Sequence, residues 1–134
     1  MRKGRGAIML NLSQRFGQKA EDLATRHLKR QGYRIVARNY RTRAGEIDII
    51  AREGASLVFI EVKGRQSTRY GSAKAAVTLR KQRQVAKVAL WYLKETDQMG
   101  AKARFDVVAV TRKGGDVAIE IVRNAFPLSP PPTG

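Results

Sequence analysis

Between Gly45 and Arg65 the chain reads GEIDIIAREGASLVFIEVKGR, with Glu46, Asp48, Glu61 and Lys63 at every-other-residue spacing inside two apolar runs. The runs IDIIA and LVFIEV are rich in branched and aromatic residues that favour strands, and Glu53 to Ser56 between them read as a turn. Residues two apart share a face of a strand, so Glu46 and Asp48 point one way on the first strand, as do Glu61 and Lys63 on the second. A turn symmetric about Gly54 and Ala55 sets Asp48 opposite Glu61 and Glu46 opposite Lys63, with opposed Cβ atoms roughly 4.5–5.5 Å apart. Carboxylates crowded onto an apolar hairpin repel one another and lose hydration unless a proton or a cation joins them. A hard divalent cation, Mg²⁺ with Mn²⁺ as its substitute, binds through one or two carboxylates and completes its shell with water and phosphate oxygens. The cluster of Glu46, Asp48 and Glu61 offers such ligands, and Lys63 would polarise water or neutralise a phosphate. The chemistry expected is metal-assisted cutting of nucleic acid. The same spacing also suits a plainer arrangement, in which these residues form cross-strand ion pairs on a solvated face.

The charge of the whole chain narrows the choice of partner. Twenty-seven Lys and Arg against eleven Asp and Glu leave a formal charge of +16, and so basic a surface attracts a polyanion by counterion release. Residues 1–44 carry twelve basic and two acidic groups, residues 45–71 four of each, and the remainder eleven and five. The one neutral stretch is the carboxylate hairpin. Nucleic acid is the expected partner, DNA ahead of RNA. An anionic membrane is disfavoured, because no helix near the start sets a basic face against an aromatic or leucine face. There is no cysteine, which excludes disulfides and thiolate metal sites and agrees with a reducing compartment. The apolar run AIMLNL is too short for a secretory segment and no run is long enough for a membrane span, so a cytoplasmic location is expected.

The elements that must position the hairpin follow from periodicity. A length of 134 residues suits one domain, taken as residues 13–126, preceded by a basic arm over 1–12 and followed by a Pro-rich tail over 127–134. From Ser13, read as an N-cap, apolar residues Phe16, Ala20, Leu23, Ala24 and Leu28 recur at helical spacing and Gly32 ends the run. Glu21 sits at the edge of that stripe, where it faces either the site or a neighbouring cation. Residues 33–41 read as a first strand. After Lys63, GRQSTRYGSAKAA has the composition of a loop able to close over a phosphate. Thr78 caps a second helix reaching Glu95, with Leu79, Ala86, Ala89, Leu90 and Leu93 expected inside. Gln82 shares that face and needs a partner. The runs ARFDVVAVTRK and DVAIEIVRNAF are two further strands around Gly114 and Gly115, and Asp106 is expected to pair with Arg104. The resulting class is α/β, a mixed β-sheet flanked by helices. Nucleic-acid contacts are expected from Arg41, Arg43, Arg65, Arg69, Tyr70, Arg80, Lys81 and Gln82.

The order αβββαβ, with Asp48 on the second strand and Glu61-Val62-Lys63 on the third, resembles the PD-(D/E)XK, or restriction-endonuclease-like, nucleases. The segments RFGQKAEDLATRHLKRQGYRIVARNYR, GEIDIIA, LVFIEVKGR, YGSAKAAV and RFDVVAV, in this order, are similar to the YraN-type bacterial family, described as predicted endonucleases related to archaeal Holliday junction resolvases. The resemblance implies a restriction-endonuclease-like αβββαβ core. It also implies Asp48 and Glu61 as metal ligands, Lys63 as the residue that orients water, and Glu21 as a helix acid of the catalytic set. Glu46 matches the motif GEID, and Ile47 stands where the PD pattern has proline. Resolvase-like cutting of two symmetric strands calls for a homodimer. The rival expectations are a nucleic-acid-binding module with the same fold and no cleavage, and a scaffold for an acidic protein.

Overall fold

The computed structural model describes residues 12–67 and 71–128, with side chains from Phe16 onward. Helix α1 (Leu12–Arg30) leads into strands β1 (Arg34–Thr42), β2 (Gly45–Glu53) and β3 (Ser56–Arg65). Helix α2 (Leu79–Glu95) and strands β4 (Ala103–Lys113) and β5 (Asp116–Phe126) follow, with a single 3₁₀ turn at Lys74–Ala76 ahead of α2. This is the expected order of helix, three strands, helix and two strands, the αβββαβ core followed by β5. The expected arm lies outside the described residues apart from its last position. Of the expected tail, Leu128 packs against the core and residues 129–134 lie outside.

The five strands form one sheet in chain order. β3 and β4 run parallel because α2 carries the chain back across one face between them, and the other neighbours are antiparallel. Covered on both faces, β3 needs no polar alternation, and Leu57, Val58, Phe59 and Ile60 are all fully buried. Gly54 takes a positive φ of 59° in the tight β2–β3 turn, a conformation costly for a residue with a Cβ.

Each helix seals one face. Ala20, Ala24 and Leu28 of α1 pack on Ile49, Val58, Ile60, Val108 and Val110. Helix α1 closes where the Tyr33 N–H donates to the Leu28 carbonyl at 3.0 Å. It already includes Leu12, so Ser13 lies within the first turn and is not its cap. Helix α2 starts as expected, with the Thr78 side chain accepting from the Lys81 N–H at 3.2 Å. Its buried residues are Val85, Ala86, Val88, Ala89 and Leu93, packed on Ile47, Ile50, Phe59 and Phe105. Leu79 and Leu90 are exposed, contrary to expectation. The stripe that fits the sheet runs through Val85 and Val88, and Leu90 lies one residue, about 100°, past it.

A polar network ties the turn end of the hairpin, at Glu53, to β4 and β5. Fully buried Asp106 accepts from the Tyr33 hydroxyl at 2.7 Å, Arg104 Nε at 2.9 Å and the Asn124 N–H at 2.9 Å. Arg104 and Arg123 both also pair with Glu53. The expected Asp106–Arg104 pair is therefore present, inside a larger cluster. No helix among the described residues is long and apolar enough to cross a membrane.

Candidate active site

The hairpin register matches the symmetric turn: Ile49 faces Ile60 and Glu53 faces Ser56. The ladder ends at the Ile49–Ile60 pair, and the next step outward is Asp48 against Glu61. There the strands part. The Asp48 carboxylate fills the gap, its Oδ2 accepting the Val62 N–H at 2.8 Å. The pleat of β2 breaks at the same point, since Ile47 packs in the α2-side core while Ile49, two residues on, packs in the α1-side core. Across from it, Asn39 lies between the pairs Arg38–Ile49 and Tyr40–Ile47 with φ of 53°. Asp48 thus stands where the two faces of the sheet meet, within electrostatic reach of Glu21 on one side and Lys81 on the other.

Glu61 is almost wholly enclosed, at 5% exposure. Its Oε2 lies 3.9 Å from Lys63 Nζ and 3.7 Å from Lys81 Nζ. Its Oε1 is buried without a hydrogen-bond partner among the described residues. Burial first, and the Asp48 charge second, push the Glu61 carboxyl up to about 7, against the lowering pull of Lys81 and Lys63. Burial also raises Asp48, reinforced by Glu21 and Glu46 and opposed by the Val62 N–H and by Lys81. Two acids that resist ionisation, side by side and with one oxygen unsatisfied, make an arrangement that a shared proton or a cation would relieve.

Glu46 and Asp48 line one open cleft of about 490 Å³ with Glu21, Arg38, Asn39 and Arg41, although the expected alternation breaks between Ile47 and Ile49. Glu46 does not meet Lys63. Its Oε2 lies 3.5 Å from Arg41 Nε, because the strands have separated beyond Asp48. Glu21 Oε1 accepts from Arg38 Nε and Nη2 and from Asn39 Nδ2 at 2.9–3.1 Å. Glu21 therefore satisfies both alternatives, pairing with a cation while bordering the cleft. Among the described residues no three acids or histidines converge as a metal cluster, and Glu46 stands apart from Asp48 and Glu61 at Arg41.

The expected nucleic-acid residues divide. Arg41 and Arg43 border a hollow beside α2, and Arg80 lies in the adjoining one. Arg65 is tied back, donating to the Gly71 carbonyl at 2.9 Å. The Gln82 side chain donates to the Val77 carbonyl at 3.0 Å, a structural role. Arg69 and Tyr70 lie outside the described residues. Lys81 belongs to the acid pair rather than to an outer phosphate track. Its sequence signal, a cation in the first turn of a helix that follows the EVK strand, is visible only once α2 is known to cross that strand's end.

The model of the uncharacterised protein family UPF0102 matches residues 20–110. A UPF0102 protein of Desulfosudis oleivorans is 53% identical over 118 residues, covering 88% of this chain and 94% of the relative. One of Geobacter metallireducens is 49% identical over 114 residues, covering 85% and 93%. Among solved structures, the chain is similar to a chain of the EndoMS–dsDNA2 complex, with a TM-score of 0.44 and 21% identity. It covers 85% of this chain and 43% of that one. It is also similar to Pyrococcus furiosus SfsA in complex with Ca²⁺, with a TM-score of 0.37 and 13% identity, covering 83% and 62%.

Proposed function

The chain belongs to the uncharacterised protein family UPF0102, and we propose that it is an endonuclease that hydrolyses nucleic-acid phosphodiesters with the help of a divalent cation. The observation that carries this reading is the buried, unpartnered Glu61 Oε1 beside Asp48. A carboxylate oxygen held dry without a donor costs stability, and a cation relieves that cost.

Asp48 and Glu61 are the residues that would hold Mg²⁺ or Mn²⁺, which when bound would neutralise phosphate charge and make water a stronger nucleophile. The Val62 N–H fixes the Asp48 carboxylate through Oδ2. Lys63, on the same strand face as Glu61, holds its ammonium beside the acid pair. There it can orient the attacking water and stabilise charge on the phosphate. Lys81 balances Glu61 from α2. The net charge of +16 draws the polyanionic substrate in, and DNA is the substrate we favour, branched DNA included.

The test begins with Mn²⁺ and Mg²⁺ calorimetry on wild type and Asp48→Asn, then cleavage of branched, nicked and single-stranded DNA. Cation uptake that disappears with Asp48, and cleavage lost with Asp48→Asn and Lys63→Ala, are the expected results. Variants that cut as well as wild type would sink the reading. One observation favours a second reading: Glu21 and Glu46 are occupied by Arg38 and Arg41, as in a binding module that does not cut. That module would bind nucleic acid with steep salt dependence and indifference to Mg²⁺.

A further inference from the structure

The outer face of α2 carries a stripe that the acid pair does not use. Arg80, Arg83, Gln84, Lys87 and Trp91 follow one another three or four residues or one residue apart, which places them along one side of the helix. Ala44, at the β1–β2 turn, and Lys87 are common to two adjoining hollows. One is bordered by Arg80, Arg83 and Gln84. The other, of about 640 Å³, is bordered by Arg41, Thr42, Arg43 and Trp91. The two form a continuous trough whose lining includes cations and no acid. Its floor turns apolar at the far end, where Trp91 is 54% exposed.

An exposed indole is a large, rigid contact surface of the kind enriched where proteins meet partners. Its neighbours select its occupant. An apolar partner protein would be burdened with desolvating Arg43 and Lys87, whereas a nucleotide presents a flat apolar base and a phosphate together. Base-on-aromatic stacking also requires an unpaired base, since a base inside a duplex hides both its faces. We infer that this trough is a subsite for an unpaired nucleotide, its base stacked on Trp91 and its flanking phosphates held by Arg43 and Lys87.

The subsite deepens the nucleic-acid reading above and rests on it. Lys81, at the acid pair, and Trp91 are ten residues apart on α2, about 15 Å along the axis. A strand lying in the trough would thus connect the stacked base to the cutting site over a few nucleotides. Such a protein prefers substrates with a single-stranded segment next to the scissile bond.

Trp91 is the sole tryptophan of the chain, so intrinsic fluorescence reports on this position without a label. The experiment titrates full-length Asp48→Asn protein, free of divalent cation, with a short oligothymidylate and with an abasic oligonucleotide of equal length and charge. Oligothymidylate should quench the emission and bind roughly tenfold more tightly than its abasic counterpart. With affinities read by calorimetry, because neither variant keeps a tryptophan, Trp91→Ala should remove the difference in affinity and Trp91→Phe should keep most of it. Equal affinity and equal quenching by the two oligonucleotides would overturn the subsite, as would equal quenching by heparin or by phosphatidylglycerol vesicles. Base-dependent quenching in a protein whose wild type never cuts supports the subsite and removes only the nuclease reading. Cleavage by wild type without base-dependent quenching removes only the subsite.

Discussion

Lys81 reaches from the first turn of α2 to within 3.7 Å of Glu61 Oε2, the same oxygen that Lys63 approaches at 3.9 Å. Both cations crowd one side of the carboxylate, leaving Oε1 buried and unpartnered among the described residues. The pair of lysines does not fully compensate the enclosure, since the Glu61 carboxyl still titrates near 7.

The sign of the resulting pH dependence is fixed. A carboxyl whose folded value lies above its ordinary 4.5 takes up a proton on folding. Its contribution to stability is whole below about pH 4.5 and is lost as the pH rises through about 7. Lys81→Met removes a group that lowers the folded value, so the loss continues to higher pH. Thermal melts of chelator-treated protein from about pH 4 to pH 9 should coincide for wild type and variant at the acid end, and the variant should fall below above about pH 7. Curves that coincide throughout would show that Lys81 does not act on Glu61.

Glu61→Gln should do the reverse. The amide carries no charge to be left dry, so the variant should be more stable than wild type near pH 8. The gain is on the order of 3 kcal/mol, the cost of ionising a carboxyl that the fold pushes from 4.5 up to about 7. Near pH 4 that charge advantage should vanish. Added Mn²⁺ should raise the melting temperature of wild type increasingly as the pH passes about 7, and should leave Glu61→Gln unmoved. Differential scanning calorimetry at two pH values, with and without Mn²⁺, reads all four states.

Most of this geometry was legible before any coordinates, and the exceptions have physical causes. The alternation in GEIDIIA and LVFIEVK and the turn at Gly54 set a hairpin register that runs without slip from Glu53–Ser56 to Ile49–Ile60. The same pattern could not reveal that the ladder opens one residue later. That depends on Asn39 adopting φ of 53° on a neighbouring strand and on Asp48 taking the Val62 N–H for itself. Glu46 consequently met Arg41, not Lys63. On α2 helical spacing through Leu79, Ala86, Ala89, Leu90 and Leu93 places the inner face correctly at Ala86, Ala89 and Leu93, and misses Val85 and Val88 in favour of the exposed Leu79 and Leu90. The small Val85 and Val88 fit the sheet better.

Asp106 predicts a structural effect one step from the acid pair, since on β4 it stands in register with Ile60, the residue before Glu61. Its carboxylate is fully buried and satisfies Tyr33, Arg104 and Asn124 at once. Asp106→Ala takes the acceptor from the Tyr33 hydroxyl and the Asn124 N–H and leaves Arg104 with Glu53 as its acid, a change that costs about 3–5 kcal/mol. Urea unfolding should show the midpoint falling accordingly. Cation binding by the folded fraction should persist, because Asp106 bonds Tyr33 on the α1 side of the sheet whereas Glu61 meets Lys81 of α2. Loss of cation binding without loss of stability would place Asp106 in the site instead.

Gly45 opens β2 at φ of 145°, a conformation that residues with a Cβ rarely adopt. A Cβ built there would lie 2.7 Å from Gln84 Nε2 and 2.9 Å from Gln84 Cδ. Gly45→Ala therefore carries two separable costs, backbone strain of about 1–3 kcal/mol and a steric clash with α2. Gln84→Ala relieves only the second. A double-mutant cycle in urea should give a favourable coupling on the order of 0.5–3 kcal/mol, with the strain remaining in the double variant. Because this turn carries Arg43 and Ala44 into the trough beside α2, Gly45→Ala should also weaken oligothymidylate binding, and Gln84→Ala should restore part of it. Additive stabilities would mean that the turn yields without pressing on α2, and the link between β2 and the trough would then be lost.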